Sequence, residues 1–296
     1  MMIPAHRILL PLLLLFAMLG SCGCDATRAE PLRIAVNPWI GFTPLAYAQQ
    51  KGWLDDCRIK LLWVVGLEES VKLYRQGLAD GFAGTQYEYF AAGDTESLKP
   101  FLFFDRSYGA DVILSNRTAE QLRQNGRIDV YLEATGVNSD LLKAFASQYG
   151  LRPETIIRHS SDPESMTTLR SAETPMLLIA YEPYATAVER QGFRRVASTR
   201  TLGGAMVIDA LWLNAPKAAS HDRSLSCFKA AVDRAVANLR ADPEEFYSTI
   251  SGYLKGQSFE AFRKSLEGIE WLNRERSPEV SAFLRGTAID QRYLLP

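Results

Sequence analysis

From residue 33 to residue 213 the chain alternates short apolar runs with amphipathic ones, and this alternation is the strongest limit on its fold. Residues 33–36 read as a short buried strand, and 41–50 as a helix closed by Gly52. Residues 59–65 are the next strand, and 68–76 carry Val71, Leu73 and Tyr74 at helical spacing before Gly77. Residues 80–84 form a short strand ending at a glycine turn, and 87–92 return as a helix. Residues 98–104 and 111–115 are strands, and the polar stretch 105–109 between them reads as a crossover.

A second run follows, with strands at 128–132, 155–158 and 176–180 and helices at 138–149 and 163–170. Another helix opens at Glu182-Pro183-Tyr184, with proline near its start, where a missing N–H costs nothing. Residues 206–213 are the last strand, and beyond Pro216 the chain reads as helical to the end, with 217–239, 243–254 and 259–268 as segments. Strand-helix alternation predicts an α/β fold of parallel sheets flanked by helices. Here it falls into two lobes that meet near residues 105–111 and 205–215. The expected first lobe is 31–107 plus 214–296, and the second is 108–213. A chain of 296 residues has room for this, at roughly 100–200 residues per domain.

The first residues stand apart from that pattern. Residues 8–19 are an apolar run after a polar start carrying Arg7, too short for the roughly 20 residues that span a bilayer and of the length of a secretory signal core. Leu19-Gly20-Ser21-Cys22 resembles the bacterial lipobox, in which two small residues precede a cysteine that is lipidated and becomes the first residue of the mature protein. Cys24 offers a competing register, but Ser21 then stands where a branched residue belongs. The expectation is a lipoprotein signal peptide at 1–21, a tether at 22–30, lipid on Cys22, and a mature protein held on the periplasmic face of a bacterial membrane. The plainer alternative is a cleaved signal with an incidental cysteine.

Export places the cysteines in an oxidising compartment where disulfides persist. With Cys22 acylated and Cys24 on the tether, Cys57 and Cys227 remain in the folded body, either bridged or as two separate buried thiols.

Charge and motifs then exclude several functions. Lys and Arg number 33 against 34 Asp and Glu, and no basic stripe interleaved with aromatics is present, so nucleic acid is not an expected partner. His159 and His221 have no neighbouring cysteine or histidine at a metal-ligand spacing, and no metal or cofactor is expected. No Gly-x-Ser-x-Gly elbow, phosphate loop, dinucleotide glycine fingerprint or His-Glu-x-x-His helix occurs, which moves the expectation from enzyme toward binding protein.

Several strings point one way. The stretch from Ala35-Val36-Asn37-Pro38-Trp39-Ile40-Gly41 through Lys51-Gly52-Trp53 resembles the opening of the nitrate/sulfonate/taurine-type substrate-binding proteins of ABC transporters. Gln76-Gly77-Leu78-Ala79-Asp80-Gly81, Asn138-Ser139-Asp140-Leu141-Leu142, Tyr181-Glu182-Pro183-Tyr184 and Ala241-Asp242-Pro243-Glu244-Glu245 are similar to later segments of that family. The resemblance implies a type II periplasmic binding fold: two α/β lobes, two crossovers, C-terminal helices and a small molecule held between the lobes. It also implies a monomer that delivers its ligand to a transporter permease. The alternatives are a ligand-sensing subunit of a membrane signalling protein and an enzyme on the same fold.

In open α/β lobes, ligands sit at the carboxyl ends of the strands beside helix N-termini. That rule selects Trp39 as a stacking wall and Gly41 for close backbone approach. It also selects Thr85 and Glu88, Asp111, Glu133, the stretch Thr135, Asn138 and Ser139, and Glu182. Each has a plainer reading: core filler for Trp39, helix capping for Thr135 to Ser139, and a solvated first-turn acid for Glu88 or Glu182. Acids gather at these edges, namely Glu88, Asp105, Asp111, Glu133, Glu182 and Asp209, with Arg106 as the nearby cation. Enclosing like charges demands protonation or an opposite charge. The expected ligand is therefore cationic or amine-bearing, in preference to a sulfonate or nitrate.

Overall fold

The computed structural model describes residues 30–134 and 136–296; the signal segment, Cys22, Cys24 and Thr135 lie outside the described residues. Strand β1 (Leu32–Val36) leads through a single 3-10 turn (Ile40–Phe42) into α1 (Thr43–Gln50) and the one-turn α2 (Trp53–Asp56). Then come β2 (Ile59–Trp63), α3 (Leu67–Arg75), β3 (Gly81–Thr85), α4 (Gln86–Ala92) and β4 (Leu98–Ser107). The second run is β5 (Asp111–Ser115), α5 (Ala119–Gln124), β6 (Ile128–Leu132), α6 (Val137–Tyr149), β7 (Ile156–Ser160), α7 (Pro163–Met166), β8 (Met176–Tyr181), α8 (Tyr184–Glu189) and β9 (Arg194–Ser198). Strand β10 (Val207–Asn214) precedes α9 (Ala215–Ala218), α10 (Asp222–Ala241), α11 (Pro243–Ile250) and α12 (Phe259–Leu266). Strand β11 (Ile269–Trp271) and α13 (Pro278–Arg285) complete the helices and strands.

These strands form a six-stranded sheet, β11-β4-β10-β3-β1-β2, and a five-stranded sheet, β7-β6-β8-β5-β9. Among the described residues the chain passes between the sheets twice, from β4 to β5 and from β9 back to β10. The sheets are mixed, which corrects the expectation of parallel ones. Pairs β1–β2, β1–β3, β6–β7 and β6–β8 are parallel, while β10 runs antiparallel to both β3 and β4, and β5 to both β8 and β9. A strand that returns from the other sheet comes in from the end at which the chain left, so each crossing produces an antiparallel pair.

The crossings also move the boundaries. Strand β4 continues through Asp105 to Ser107, so the first crossing is confined to residues 108–110. Strand β10 belongs to the first sheet, in contrast to the boundary expected at 213, because it inserts between β3 and β4 and is buried along nearly its whole length. That insertion needs Gly81, where a Cβ would come within 2.1 Å of the Trp212 carbonyl oxygen. Trp212 stacks on Tyr89 at 4.4 Å, and its indole N–H donates to the Gly84 carbonyl at 2.8 Å, so a large apolar ring is buried with its polar atom satisfied. Strand β9 and helix α5 are additions to the sequence reading, strand β11 interrupts the tail expected to be helical while α13 agrees with it, and the helix expected at 163–170 stops at Met166.

Cys57, just after α2, is bridged to Cys227 on α10 across 170 residues of sequence. A covalent loop of that size stabilises a fold by roughly 2–5 kcal/mol, mainly by restricting the unfolded chain.

Candidate functional site

The carboxyl ends of β1, β3 and β4 and the amino end of β10 meet at one edge of the first sheet. Asp209 stands opposite Thr85 on one side and Asp105 on the other, so two aspartates are direct cross-strand neighbours. Like charges in that position repel. From the second sheet, Asp111 at the start of β5 lies opposite Tyr181 at the end of β8. The two edges face each other: the Asn37 amide donates to the Tyr181 hydroxyl at 3.1 Å, the Ile40 N–H donates to the Glu182 carbonyl at 3.0 Å, and the Trp39 and Tyr181 rings meet edge to face at 5.8 Å.

Between them lies a small cavity lined by Asn37, Trp39, Leu67, Thr85, Asp111, Tyr181 and Asp209. About 10 Å³ of it is open to the centre of a water-sized sphere, which is room for about one water molecule. Among the described residues no lysine or arginine lines it. Outside, Gly66, Glu68, Glu69, Lys72, Glu133, Ser161 and Asp162 border a larger groove of about 260 Å³ between the lobes.

The site acids are almost fully buried, at 3% exposure for Glu88, 0% for Asp105, 4% for Asp111, 4% for Glu133 and 2% for Asp209. Burial is the largest influence on each and pushes every one of them upward. Asp111 rises to about 7, opposed by its hydrogen bond with Ser107 and reinforced by the Glu88 charge. Glu133 rises to about 8, again through burial first, with Glu88 and Glu68 adding to it. Asp105 and Asp209 are driven well above the carboxylate range by burial and by neighbouring acids. Hydrogen bonds leave the set unsatisfied. Trp39 Nε1 donates to Asp105 Oδ1 at 3.3 Å, but Asp105 Oδ2, Asp209 Oδ2 and Asn37 Oδ1 are buried acceptors without a partner. A buried acceptor left unpaired costs about 1–3 kcal/mol, and more when it is charged.

Of the residues selected from sequence, Trp39, Thr85 and Asp111 line the cavity. Glu88 and Glu133 lie beside it and bond across to the opposite lobe. Asn138 is buried on the first turn of α6, its side-chain amide 3.5 Å from Glu133 Oε2. Thr135 is outside the described residues. Three positions differ from expectation. Gly41 makes room for a side chain of the protein, since a Cβ there would stand 2.1 Å from Asp105 Oδ2. The Ser139 hydroxyl donates to the Ala134 carbonyl at 2.8 Å and closes its own loop. The Glu182 side chain turns away from the cavity and is bonded by Arg195, Gln257 and Thr186. Arg106 likewise points off the site, pairing with Glu279 and Glu270.

Asn37, Leu67 and Tyr181 were not among the selected residues. Asn37 had a signal, a polar side chain directly after a buried strand that runs into the Trp-x-Gly loop. Tyr181 had one too: it ends the apolar strand β8, where its ring can pack while its hydroxyl reaches a polar edge.

No family model matches the sequence, and no curated protein matches it. Solved structures do. A ligand-binding component of an ABC-type import system from Staphylococcus aureus, with zinc bound, aligns at a TM-score of 0.68 and 14% identity, covering 86% of this chain and 89% of that one. The alkanesulfonate-binding protein SsuA of Xanthomonas axonopodis pv. citri, bound to MOPS, aligns at 0.66 and 17%, covering 88% and 91%. A Candida albicans protein described as exhibiting the generic periplasmic binding protein structural fold aligns at 0.60 and 13%, covering 83% of each chain. The chain has that fold.

Proposed function

We propose that the protein is the solute-binding component of an ABC-type importer and that it captures a small cationic or amine-bearing molecule between its two lobes. The observation that carries this reading is the chemistry of the interlobe cavity. Its unpartnered polar atoms, Asn37 Oδ1 and Asp209 Oδ2, are acceptors, Asp111 adds a second carboxyl, and among the described residues no lysine or arginine lines it. An ammonium or amidine brings both the donors and the charge that such a lining lacks, and charge-assisted hydrogen bonds are the strong ones. The Trp39 ring supplies a wall against which a flat or cationic group packs. Among the described residues no three His, Cys, Asp or Glu side chains converge to hold a metal ion, which favours an organic cation.

A solved neighbour in the same fold is the ligand-binding component of an ABC-type import system, and this supports the transport role. In the structure the cavity has room for about one water, so a solute of several heavy atoms is admitted when the lobes part and is enclosed when they close. The permease of the transporter is the second partner. The lipobox-like Leu19-Gly20-Ser21-Cys22 supports anchoring on the periplasmic face through lipid on Cys22, and the Cys57–Cys227 bridge fits an oxidising compartment.

Native mass spectrometry of gently purified protein tests the ligand. A retained small molecule bearing an amine, amidine or ring N–H supports the reading, and a retained sulfonate or nitrate contradicts it. Changing Cys22 to Ser tests the anchor: the variant leaves the membrane fraction if the lipid is on Cys22 and stays there if it is not.

A further inference from the structure

Two helices whose amino ends lie at the cleft, α3 and α6, have no side-chain caps of their own. Helix α3 begins at Gly66 and helix α6 at Gly136, and neither glycine can satisfy the free N–H groups of its first turn. Each is served from the opposite lobe. Glu133, at the end of β6, accepts a hydrogen bond from the Glu68 N–H on α3 at 3.2 Å. Glu88, on α4, accepts one from the Val137 N–H on α6 at 3.0 Å. The exchange is reciprocal, with one carboxylate of each lobe placed on a helix end of the other.

Both glycines are required by it. A Cβ at Gly136 would come within 1.7 Å of Glu88 Oε1, and one at Gly66 within 2.2 Å of Glu133 Oε1. The carboxylates are also held from behind: Glu88 Oε2 accepts from the Thr85 N–H at 3.1 Å and from its hydroxyl at 2.5 Å.

An uncapped helix amino end in a cleft between lobes is a place for an anion, because its N–H groups and the helix dipole both favour negative charge. In this molecule two such places are filled by carboxylates of the chain itself. We infer that Glu88 and Glu133 are specificity-determining latch residues: each places a carboxyl oxygen of the chain on the opposite lobe's helix end, occupying the N–H groups an anionic solute would use, so that the cleft rejects anionic solutes and holds its closed form without one. The inference rests on the reading that the cleft is the solute site, and it adds why the solute is not an anion.

The test uses the full chain with Glu88 and Glu133 both changed to Ala, and a second variant with both changed to Gln. Sulfate and methanesulfonate are the probes, with binding read by calorimetry and amide exchange followed at Glu68 and Val137. In the unaltered protein both amides are protected and neither anion binds. In the Ala variant the amides exchange ~10- to 100-fold faster, as expected for buried N–H groups left without their acceptors, and the anions bind and restore protection. The Gln variant keeps an acceptor at each helix end, so its amides stay more protected than those of the Ala variant. Anion binding to the unaltered protein as tight as to the Ala variant overturns the inference, and so does an Ala variant whose amides stay protected with no anion present. If the Ala variant does not fold, the unaltered protein still decides: fast exchange at Glu68 and Val137, or closure around sulfate, refutes the latch. Failure of amines to bind, with the amide results as expected, counts against the cationic ligand and leaves the latch standing.

Discussion

Asp80 and Asp209 both lie on the first sheet's side of the molecule, and the chain treats their carboxylates in opposite ways. Burial pushes the Asp80 carboxyl up, but hydrogen bonds from the Arg33 side chain and N–H and from Lys217 outweigh it and hold the group at about 2. Asp209 has no such partner. Burial and three neighbouring acids drive it upward, and one of its oxygens is unpaired. The same sequence thus pairs a buried acid where it serves the fold and leaves acids unpaired where the two lobes meet. The difference teaches that the fold neutralises a buried acid with its own cations in one place and leaves the cleft acids without one, and the proposed function assigns that missing cation to the solute.

The contrast breaks most visibly in binding. Changing Asp111 and Asp209 together to Asn should weaken binding of a small primary amine by ~30- to 1,000-fold in a calorimetric titration, the usual cost of removing buried partners of a charge. An unchanged affinity would show that the cavity acids do not hold the ligand.

Next in size is the pH response of the free protein. Glu133 is raised to about 8 and Asp111 to about 7, both chiefly by burial, and Glu88 is raised in the same direction. After burial, the Glu68 N–H on α3 lowers Glu133, the Glu88 and Glu68 charges raise it and the Tyr181 hydroxyl on β8 lowers it, while Lys72, Glu69 and Asp162 border the same groove. A carboxyl raised in the folded state binds a proton that the unfolded chain has already released. Its cost is absent below the ordinary carboxylate range and grows as pH rises through the folded value. Stability without solute should fall by on the order of 2–4 kcal/mol between about pH 6 and pH 9. Thermal denaturation checks this, and a melting temperature that rises over that interval would contradict it.

Single substitutions sharpen the contrast further. Asp80→Asn strands Arg33 and Lys217 and should cost about 1–2 kcal/mol, tempered by the partial exposure of both cations. Asp209→Asn removes a repulsion and should stabilise the free protein by about 1 kcal/mol. Denaturant melts with the same sign for both variants would remove the distinction between the two regions. Ser139→Ala should change amine affinity by less than about 2-fold, since its hydroxyl serves only its own loop.

Much of this was legible in the sequence, and the parts that were not share a physical cause. Strand-end logic placed Trp39, Thr85, Asp111, Glu88 and Glu133 at the meeting of the lobes. It misplaced Glu182 because it marked the end of a strand without asking which way each side chain faces. Consecutive residues of a strand point to opposite faces. Once Tyr181 faces the cavity, Glu182 faces Arg195, and once Asp105 faces the site, Arg106 faces Glu279. The position of β10 was hidden for a different reason: an apolar run buried on both faces carries no mark of the sheet it joins. The reciprocal capping was hidden as well. A glycine before a helix reads as a turn, and only the three-dimensional approach of the lobes shows whose carboxylate fills the space.

The central claim, that the cleft acids wait for a cation, is tested most directly by counting protons. Calorimetric titration with a small primary amine near pH 6.5, repeated in buffers of different ionisation enthalpy, measures the protons exchanged on binding. A cation seated on raised carboxyls lowers them, so binding should release about one proton per amine, and affinity should rise toward pH 8. Proton uptake on binding, or saturable binding confined to sulfonates and nitrate, would contradict the account.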